Sequence, residues 1–183
     1  VKNNSIYLLT TSRLVNWKRA DRIINSVLRV EDDRIKLLIA GDGLELVKLK
    51  TLANSDPRII FLGSVTSDVI RELYDVSDWY ITMHDISNIG NPTLQALNSR
   101  IPVITCATGN TVELISENNN NGICISFDSE DDLIEKIVTV LNKILSNEII
   151  REDYLFGCEK TNYDLRTWND RISYEISEIE KLL

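Results

Sequence analysis

The sequence predicts a Rossmann-like α/β fold with three layers (α/β/α), in which helices cover both faces of a central parallel sheet of about six strands. Short runs of apolar, β-branched residues alternate along the chain with longer segments whose apolar residues recur at helical spacing. The short runs are apolar almost throughout, which is typical of parallel strands that are buried on both faces. Sheets of this kind bind their ligands at the carboxyl ends of the strands.

Six segments fit the strand pattern: residues 6–10, 36–40, 59–62, 79–83, 103–106 and 122–125. A helix is predicted after the first strand, because apolar residues follow the i, i+3, i+4, i+7, i+8 spacing at Ala20, Ile23, Ile24, Val27 and Leu28. A later helix is predicted to begin at a capping box formed by Ser129 and Asp132. Its apolar face comprises Leu133, Ile134, Ile137, Val138, Leu141, Ile144 and Leu145.

The length of 183 residues, of which 43% are hydrophobic, predicts a single domain with one sizeable core. We expect this domain to span residues 1–183, with its core in residues 5–147 and a helical extension in residues 148–183. The strand pattern stops after Asn147. The extension instead carries apolar residues at helical intervals, at Trp168, Ile172, Ile176, Ile179 and Leu183.

The composition excludes several classes of function. A formal net charge of -8 argues against binding to nucleic acid or to an anionic membrane patch, because both require clustered Lys and Arg. The cysteines are far apart and His84 is the single histidine, which predicts free thiols and no metal site. No apolar run approaches the roughly 18 residues of a membrane span, and the first residues lack a signal-peptide pattern. We therefore expect a cytoplasmic location.

Two cations follow the first predicted strand. Arg13 and Lys18 lie where this strand leads into the first helix, which is the edge of the sheet where ligands bind. They suit a diphosphate, because Arg can bind two oxygens at once and Lys supplies a point charge beside a helix N-terminus. The alternative is that both are solvated loop charges, which is the ordinary state of Arg and Lys.

Three further segments lie at the same predicted edge. Residues 41–43 (Gly-Asp-Gly) and 63–65 (Gly-Ser-Val) follow the second and third strands, where turn geometry alone also explains the glycines. Residues 84–95 precede a helix that Pro92 can begin, and backbone amides near Gly90 and Asn91 would bind an anion. The polar residues of this segment either hydrogen-bond a hydroxyl-rich ligand or cap the helix: Ser87, Asn88, Asn91, Thr93 and Gln95.

An ordered set of motifs runs from about Ile6 to Ile125. It comprises R-L-V-x-x-K at 13–18, L-I-x-G-D-G at 38–43, I-x-F-L-G-x-V at 59–65, L-Y-x-x-S-D at 73–78, L-Q-A-L-N-S-R-I-P-V at 94–103, G-N-T-V-E-L-I at 109–115 and N-G at 121–122. Together these motifs resemble the C-terminal, nucleotide-sugar donor domain of retaining glycosyltransferases of the GT-B fold, specifically family 4 (glycosyl transferases group 1). The fold would then be one half of a GT-B fold.

The resemblance implies a role for each predicted site residue. Arg13 and Lys18 would be the catalytic residues and would hold the donor diphosphate, and the backbone around Val65 would meet the nucleobase. The full nucleotide-sugar-binding set would be Arg13, Lys18, Gly41, Ser64, Val65, Ser87, Asn88, Ile89, Gly90, Asn91, Thr93 and Gln95. Ser87 and Gln95 stand where the family has glutamates, and Arg19 and Arg100 stand where glycine is usual.

The function implied by the resemblance is transfer of a sugar, of the hexosyltransferase type and with retained anomeric configuration, from a nucleotide-diphosphate sugar. The product would be a glycan, a polysaccharide or a glycolipid, and no cofactor or essential metal is expected. The acceptor would lie on an N-terminal domain that the sequence does not contain, so we expect the isolated chain to be inactive. The full protein would associate peripherally with the cytosolic face of a membrane.

Two other functions fit the same fold. One is a catalytically degenerate module that keeps the fold and binds a nucleotide or a partner protein, which the replacements at Ser87 and Gln95 favour. The other is a domain of a nucleotide-sugar epimerase, which would require an acid/base group in the cleft, and His84 is the only histidine available. An unrelated doubly wound domain is the remaining alternative, because fold alone does not determine function.

Overall fold

The strands form one parallel sheet, as the sequence predicts. A computed structural model describes residues 4–86, 90–116, 118–164 and 168–181. Within them lie β1 (Ile6–Thr11), β2 (Ile35–Ala40), β3 (Ile59–Gly63), β4 (Trp79–Thr82), β5 (Val103–Cys106) and β6 (Gly122–Ile125). Each predicted strand is present, with ends that differ by no more than one residue.

Helices connect the strands and complete the chain. A 3-10 turn (Asn16–Lys18) follows β1 and leads into α1 (Ala20–Arg29). The other helices are α2 (Leu46–Ala53), α3 (Ser67–Val76), α4 (Asn91–Asn98), α5 (Thr111–Leu114), α6 (Glu130–Leu145), α7 (Glu152–Asp164) and α8 (Trp168–Glu180). The helices predicted from apolar spacing are therefore present as α1 and α6.

The strand order is β3-β2-β1-β4-β5-β6, and every pairing is parallel. The chain therefore moves outward from β1 to β3, returns to the middle of the sheet, and continues outward from β4 to β6. The pairing of Leu8 with Trp79 joins the two halves at the centre. Loops after β1 and β4 thus diverge at the carboxyl edge, where this topology leaves a crevice. The Rossmann-like α/β class is confirmed.

Alternation of side chains along the strands gives each face of the sheet its own apolar core. Leu8 and Ile81 point to the face covered by α1, α2 and α6, while Leu9 and Tyr80 point to the face covered by α3, α4 and α7. Because both faces are covered, the strands have no polar side to show to solvent, which explains their continuous apolar sequence.

The start of α6 differs in one detail from the predicted capping box. The Ser129 hydroxyl accepts a hydrogen bond from the Asp132 amide at 3.2 Å, as expected for an N-cap. The Asp132 carboxylate, however, accepts from the backbone amide of Asp128 at 3.0 Å rather than from that of Ser129. The carboxylate therefore caps the residue before the N-cap and still occupies the positive end of the helix dipole.

Helix α7 is packed onto the core rather than extending from it. Cys158 is fully buried, and Thr161 hydrogen-bonds the side-chain amide of Asn121 at 2.8 Å. Gly157 lies against the loop before β6, where a Cβ atom would come within 1.9 Å of the Asn120 carbonyl oxygen. The absence of a side chain at position 157 is what lets the helix approach this closely.

Helix α8, by contrast, is largely exposed. Its apolar stripe remains about half accessible at Ile172 (50%), Ile176 (51%) and Ile179 (58%). Within the described ranges, no helix is both long enough and apolar enough to cross a membrane.

A cluster of ion pairs joins α1, the end of β4 and the start of α6. Arg22, whose side chain is 5% exposed, binds Asp85 at 2.8 Å and Glu130 at 2.7 Å and also donates to the Met83 carbonyl at 2.9 Å. Arg19 binds the same two carboxylates. We call Arg19, Arg22, Asp85 and Glu130 the arginine-carboxylate cluster. It connects the loops after β1 and β4 to the far end of the sheet.

The backbone is strained at two positions where the family that this chain resembles usually has glycine. Arg19 has a φ of 49° and Arg100 a φ of 58°, both in the left-handed region. This conformation costs a non-glycine residue about 1 kcal/mol or more. The ion pairs of Arg19 within the arginine-carboxylate cluster offset part of that cost.

We expect Gly157→Ala to lower the free energy of unfolding by about 1–3 kcal/mol, because the new methyl group overlaps the Asn120 carbonyl. At an ordinary position inside a helix, replacing glycine with alanine instead raises the free energy of unfolding by about 1 kcal/mol. Urea denaturation measures the change, and Lys160→Ala on the exposed side of α7 is the control. Stabilisation by Gly157→Ala would show that α7 is not docked against this loop.

Acid is expected to weaken the fold through Glu130. Hydrogen bonds from Arg22 lower the pKa of the Glu130 carboxyl, so its contribution is present above the unfolded pKa and is lost as pH falls through the folded pKa. Urea denaturation of Glu130→Gln from about pH 7 to about pH 3 should therefore show a smaller loss of stability than the parent. Glu135→Gln, which breaks an exposed ion pair of α6, is the control and should decline in parallel with the parent.

Candidate functional site

A cavity of about 600 Å³ opens between α3 and α4, above the carboxyl ends of β1 and β2. Thr11 and Ala40 form its floor, Arg13 stands at its mouth, and Tyr74 and Gln95 lie on its helical walls. The cavity lies over the loops that follow β1, β2 and β3 at this carboxyl edge. Its volume lies in the range of small-molecule and cofactor sites.

The structure brings together part of the predicted site and separates the rest. Five predicted residues line the cavity: Arg13, Gly41, Ser64, Val65 and Gln95. Four others do not line it, namely Lys18, Gly90, Asn91 and Thr93, although α4 begins at Asn91 with Gly90 as its N-cap and Pro92 in its first turn. Ser87, Asn88 and Ile89 lie outside the described residues.

The Gly41 position is determined by the approach of two backbone segments. A Cβ atom there would lie 1.8 Å from the Ser12 carbonyl oxygen, and φ is +145°. The amide of Gly41 donates to the Gly63 carbonyl at 2.8 Å. The steric explanation offered by the sequence is therefore correct, and it also lets the loop bearing Arg13 lie directly over the end of β2.

Arg13 presents an unpaired charge to the cavity. Its side chain is exposed, and in the described part of the chain it has no hydrogen-bond or ion-pair partner. Other arginines near this edge, Arg19 and Arg22, are neutralised by carboxylates. In a protein of net charge -8, an uncompensated guanidinium at the mouth of a cavity is suited to an anionic ligand.

Lys18 lies beside Arg13 but outside the wall of the cavity. Burial and, secondly, the nearby charge of Arg13 lower the pKa of its ammonium. The ammonium contacts Trp17, 4.2 Å from the ring centroid, and lies 3.5 Å from Nδ1 of His84. Arg13 and Lys18 repel each other, and neither forms an ion pair with a carboxylate among the described residues. A bound anion would therefore stabilise this arrangement.

His84 is a neutral residue at physiological pH. Burial and, secondly, the charge of Lys18 lower its pKa to about 4. Its Nε2 lies 2.6 Å from the Thr82 hydroxyl, and its ring meets Trp17 edge-on at 6.1 Å between centroids. His84 does not line the cavity, so its placement gives no support to the acid/base role that an epimerase would require.

Apart from Gln95, sequence reasoning missed the helical walls. On α3, the lining residues are Ser67, Ile70, Arg71 and Tyr74, at i, i+3, i+4 and i+7. On α4 they are Pro92, Gln95, Asn98 and Ser99. The periodic spacing was visible in the sequence, but nothing indicated that these faces turn toward a gap rather than toward solvent.

Tyr74 connects the two walls at the base of the cavity. Its hydroxyl donates to the Pro92 carbonyl at 2.9 Å and lies 3.5 Å from Oε1 of Gln95. Burial raises the pKa of the Tyr74 phenol, which keeps it a neutral donor. Among the described residues the amide nitrogen of Gln95 has no partner, so Gln95 can offer a donor to a ligand.

Comparison with known proteins identifies the family of this chain. The model for "Glycosyl transferases group 1" matches residues 5–143. The chain is 25% identical over its whole length to an uncharacterized glycosyltransferase of Methanocaldococcus jannaschii, of which it covers 46%. It is 30% identical over 60% of its length to the alpha-monoglucosyldiacylglycerol synthase of Streptococcus pneumoniae, of which it covers 26%.

The fold agrees with solved structures. A crystal structure of the pneumococcal O-GlcNAc transferase GtfA in complex with UDP and GlcNAc superposes with a TM-score of 0.80 at 19% identity. The match covers 97% of this chain and 36% of that chain. The chain thus spans less than half the length of each of these relatives. Because the family model matches most of its sequence, the chain belongs to the glycosyl transferases group 1 family.

Proposed function

We propose that the chain is the donor-binding, C-terminal domain of a retaining family 4 glycosyltransferase of the GT-B fold. The observation that carries this proposal is the unpaired Arg13 guanidinium at the mouth of a 600 Å³ cavity at the carboxyl edge of the sheet. That edge is where Rossmann-like folds hold nucleotides. Family membership supports sugar transfer as the chemistry.

A UDP-sugar is the donor we propose first. The structural neighbour GtfA binds UDP and GlcNAc, and the cavity of this chain offers matching chemistry. The backbone at Ser64 and Val65 can hydrogen-bond a base edge, Ile70 supplies an apolar surface, and Gln95 can reach a ribose hydroxyl. These groups give the cavity both apolar surface and polar anchors, which a nucleotide site needs.

Arg13 and Lys18 would act on the leaving group. Breaking the bond between the anomeric carbon and the diphosphate moves negative charge onto the departing phosphate oxygen. Fixed cations beside that oxygen stabilise the charge without reorganisation, which is electrostatic catalysis. Two positive side chains can supply what a metal ion supplies elsewhere, so we propose that donor binding needs no metal.

The remaining functions belong to the whole protein. We propose that an acceptor domain precedes this one and that transfer requires both, so that the isolated chain binds donor without transferring it. A hexose passed to a lipid acceptor fits the name of the S. pneumoniae relative, and a polysaccharide acceptor is the alternative we propose. Such an acceptor would bring the full protein to the cytosolic face of a membrane.

Calorimetric titration with UDP, GDP and ADP and with their sugar conjugates, in the presence of EDTA, tests this function. We expect one nucleotide to bind selectively, and Arg13→Ala and Lys18→Ala each to weaken it about 10- to 100-fold, as charged hydrogen bonds do. Lys143→Ala is the control. Helix α6 ends at the opposite edge of the sheet, where Arg34 binds the Leu145 carbonyl, so affinity should not change.

The outcomes separate the alternatives. Selective binding that both variants weaken supports the donor domain and identifies the base. Equal loss of affinity in Lys143→Ala would show that only net charge matters. No binding of any nucleotide would overturn the proposal.

A further inference from the structure

His84 is a half-buried titratable group that the proposed chemistry does not use. It lies outside the cavity wall, between the Thr82 hydroxyl and the Lys18 ammonium. Thr82 lies two residues before His84 at the end of β4, whereas Lys18 lies on the loop after β1, so the Lys18 contact brings that loop and the end of β4 together. The question is what this contact does for Lys18.

The hydrogen-bond chemistry fixes the state of the ring. A neutral imidazole has one donor and one acceptor nitrogen, and an ammonium can only donate. Lys18 therefore donates to Nδ1, at 3.5 Å, and Nε2 carries the proton and donates to the Thr82 hydroxyl, at 2.6 Å. A protonated ring could not accept from Lys18. Burial and the Lys18 charge lower the pKa of His84 to about 4, which keeps it neutral.

The imidazole is itself held in place. The His84 carbonyl accepts from the Thr108 hydroxyl at 3.1 Å, and the Asp85 amide donates to the Trp17 carbonyl at 3.0 Å. The backbone on both sides of the ring contact is thus pinned, one bond reaching the loop after β5 and the other the 3-10 turn that carries Lys18. The Trp17 ring lies 4.2 Å from the ammonium and meets the imidazole edge-on.

We propose that His84 is a positioning residue that holds the Lys18 ammonium beside Arg13, ready for the diphosphate. The proposal rests on the function proposed above. A free lysine side chain loses considerable rotamer entropy when it is fixed on a ligand. His84 and Trp17 restrict the ammonium before the ligand binds, so much of that entropy is already lost in the free protein. Unlike a carboxylate, they do this without neutralising its charge.

The test compares two substitutions at position 84. His84→Leu removes the acceptor and keeps apolar bulk, whereas His84→Asn keeps an acceptor oxygen near the place of Nδ1. We expect His84→Leu to weaken UDP about fivefold, the range of one neutral hydrogen bond, and to leave uridine affinity unchanged. His84→Asn should retain affinity within about twofold. Thermal unfolding of each variant reports any loss of folding separately.

A double-mutant cycle isolates the contact. In a Lys18→Met background, His84→Leu should cause no further loss of UDP affinity, because the partner is already gone. A full additional loss would show that His84 acts by another route and would overturn the proposal.

A second readout needs no ligand. Because the chain has a single histidine, its ring signals in a proton NMR titration are unambiguous. Lys18→Met should raise the pKa of His84, because a nearby positive charge is removed. An unchanged pKa would overturn the proposed contact even if UDP binds. Failure of the parent protein to bind UDP, GDP or ADP, with the pKa shift present, would instead refute the proposed function and leave the contact established.

Discussion

Parallel pairing of β1 with β4 is the constraint on which the rest of the structure depends. This pairing joins two halves of the sheet that were built outward in opposite directions, so the connections that leave β1 and β4 lead to helices on opposite faces of the sheet. Helices α3 and α4 then flank a gap that neither fills. The cavity is therefore a product of topology, and its chemistry depends on which side chains are supplied by helices α3 and α4 and by the loops after β1, β2 and β3.

Charge at this edge is distributed unevenly. The arginine-carboxylate cluster neutralises Arg19 and Arg22 and joins loops that the sheet topology drives apart. Arg13 and Lys18, on the same loop, form no ion pair among the described residues, although Asp42 lines the cavity together with Arg13. Paired cations thus hold the scaffold, and unpaired cations remain for a ligand. This division accounts for an anion site in an acidic protein.

Local sequence was sufficient for the strands, because β-branched apolar runs bounded by turns leave few other solutions. Arg13, Gly41, Ser64, Val65 and Gln95 line the cavity, as expected for residues that follow a strand or lie in the first turns of a helix at the carboxyl edge, and their binding roles stay predictions. Tyr74 and Arg71 were missed because their role depends on the gap between α3 and α4, which is a tertiary property. The contact between Lys18 and His84, 66 residues apart, has no signature in sequence spacing.

The position of Trp17 also has an optical consequence. Its indole is 38% exposed beside Lys18, whereas Trp79 is 1% exposed in the core. Emission from Trp79 should be blue-shifted and resistant to quenching, while iodide, drawn by the neighbouring cations, should quench Trp17 more strongly than Trp79. The fluorescence of Trp17 therefore reports on the electrostatic environment of the cavity mouth without any added dye.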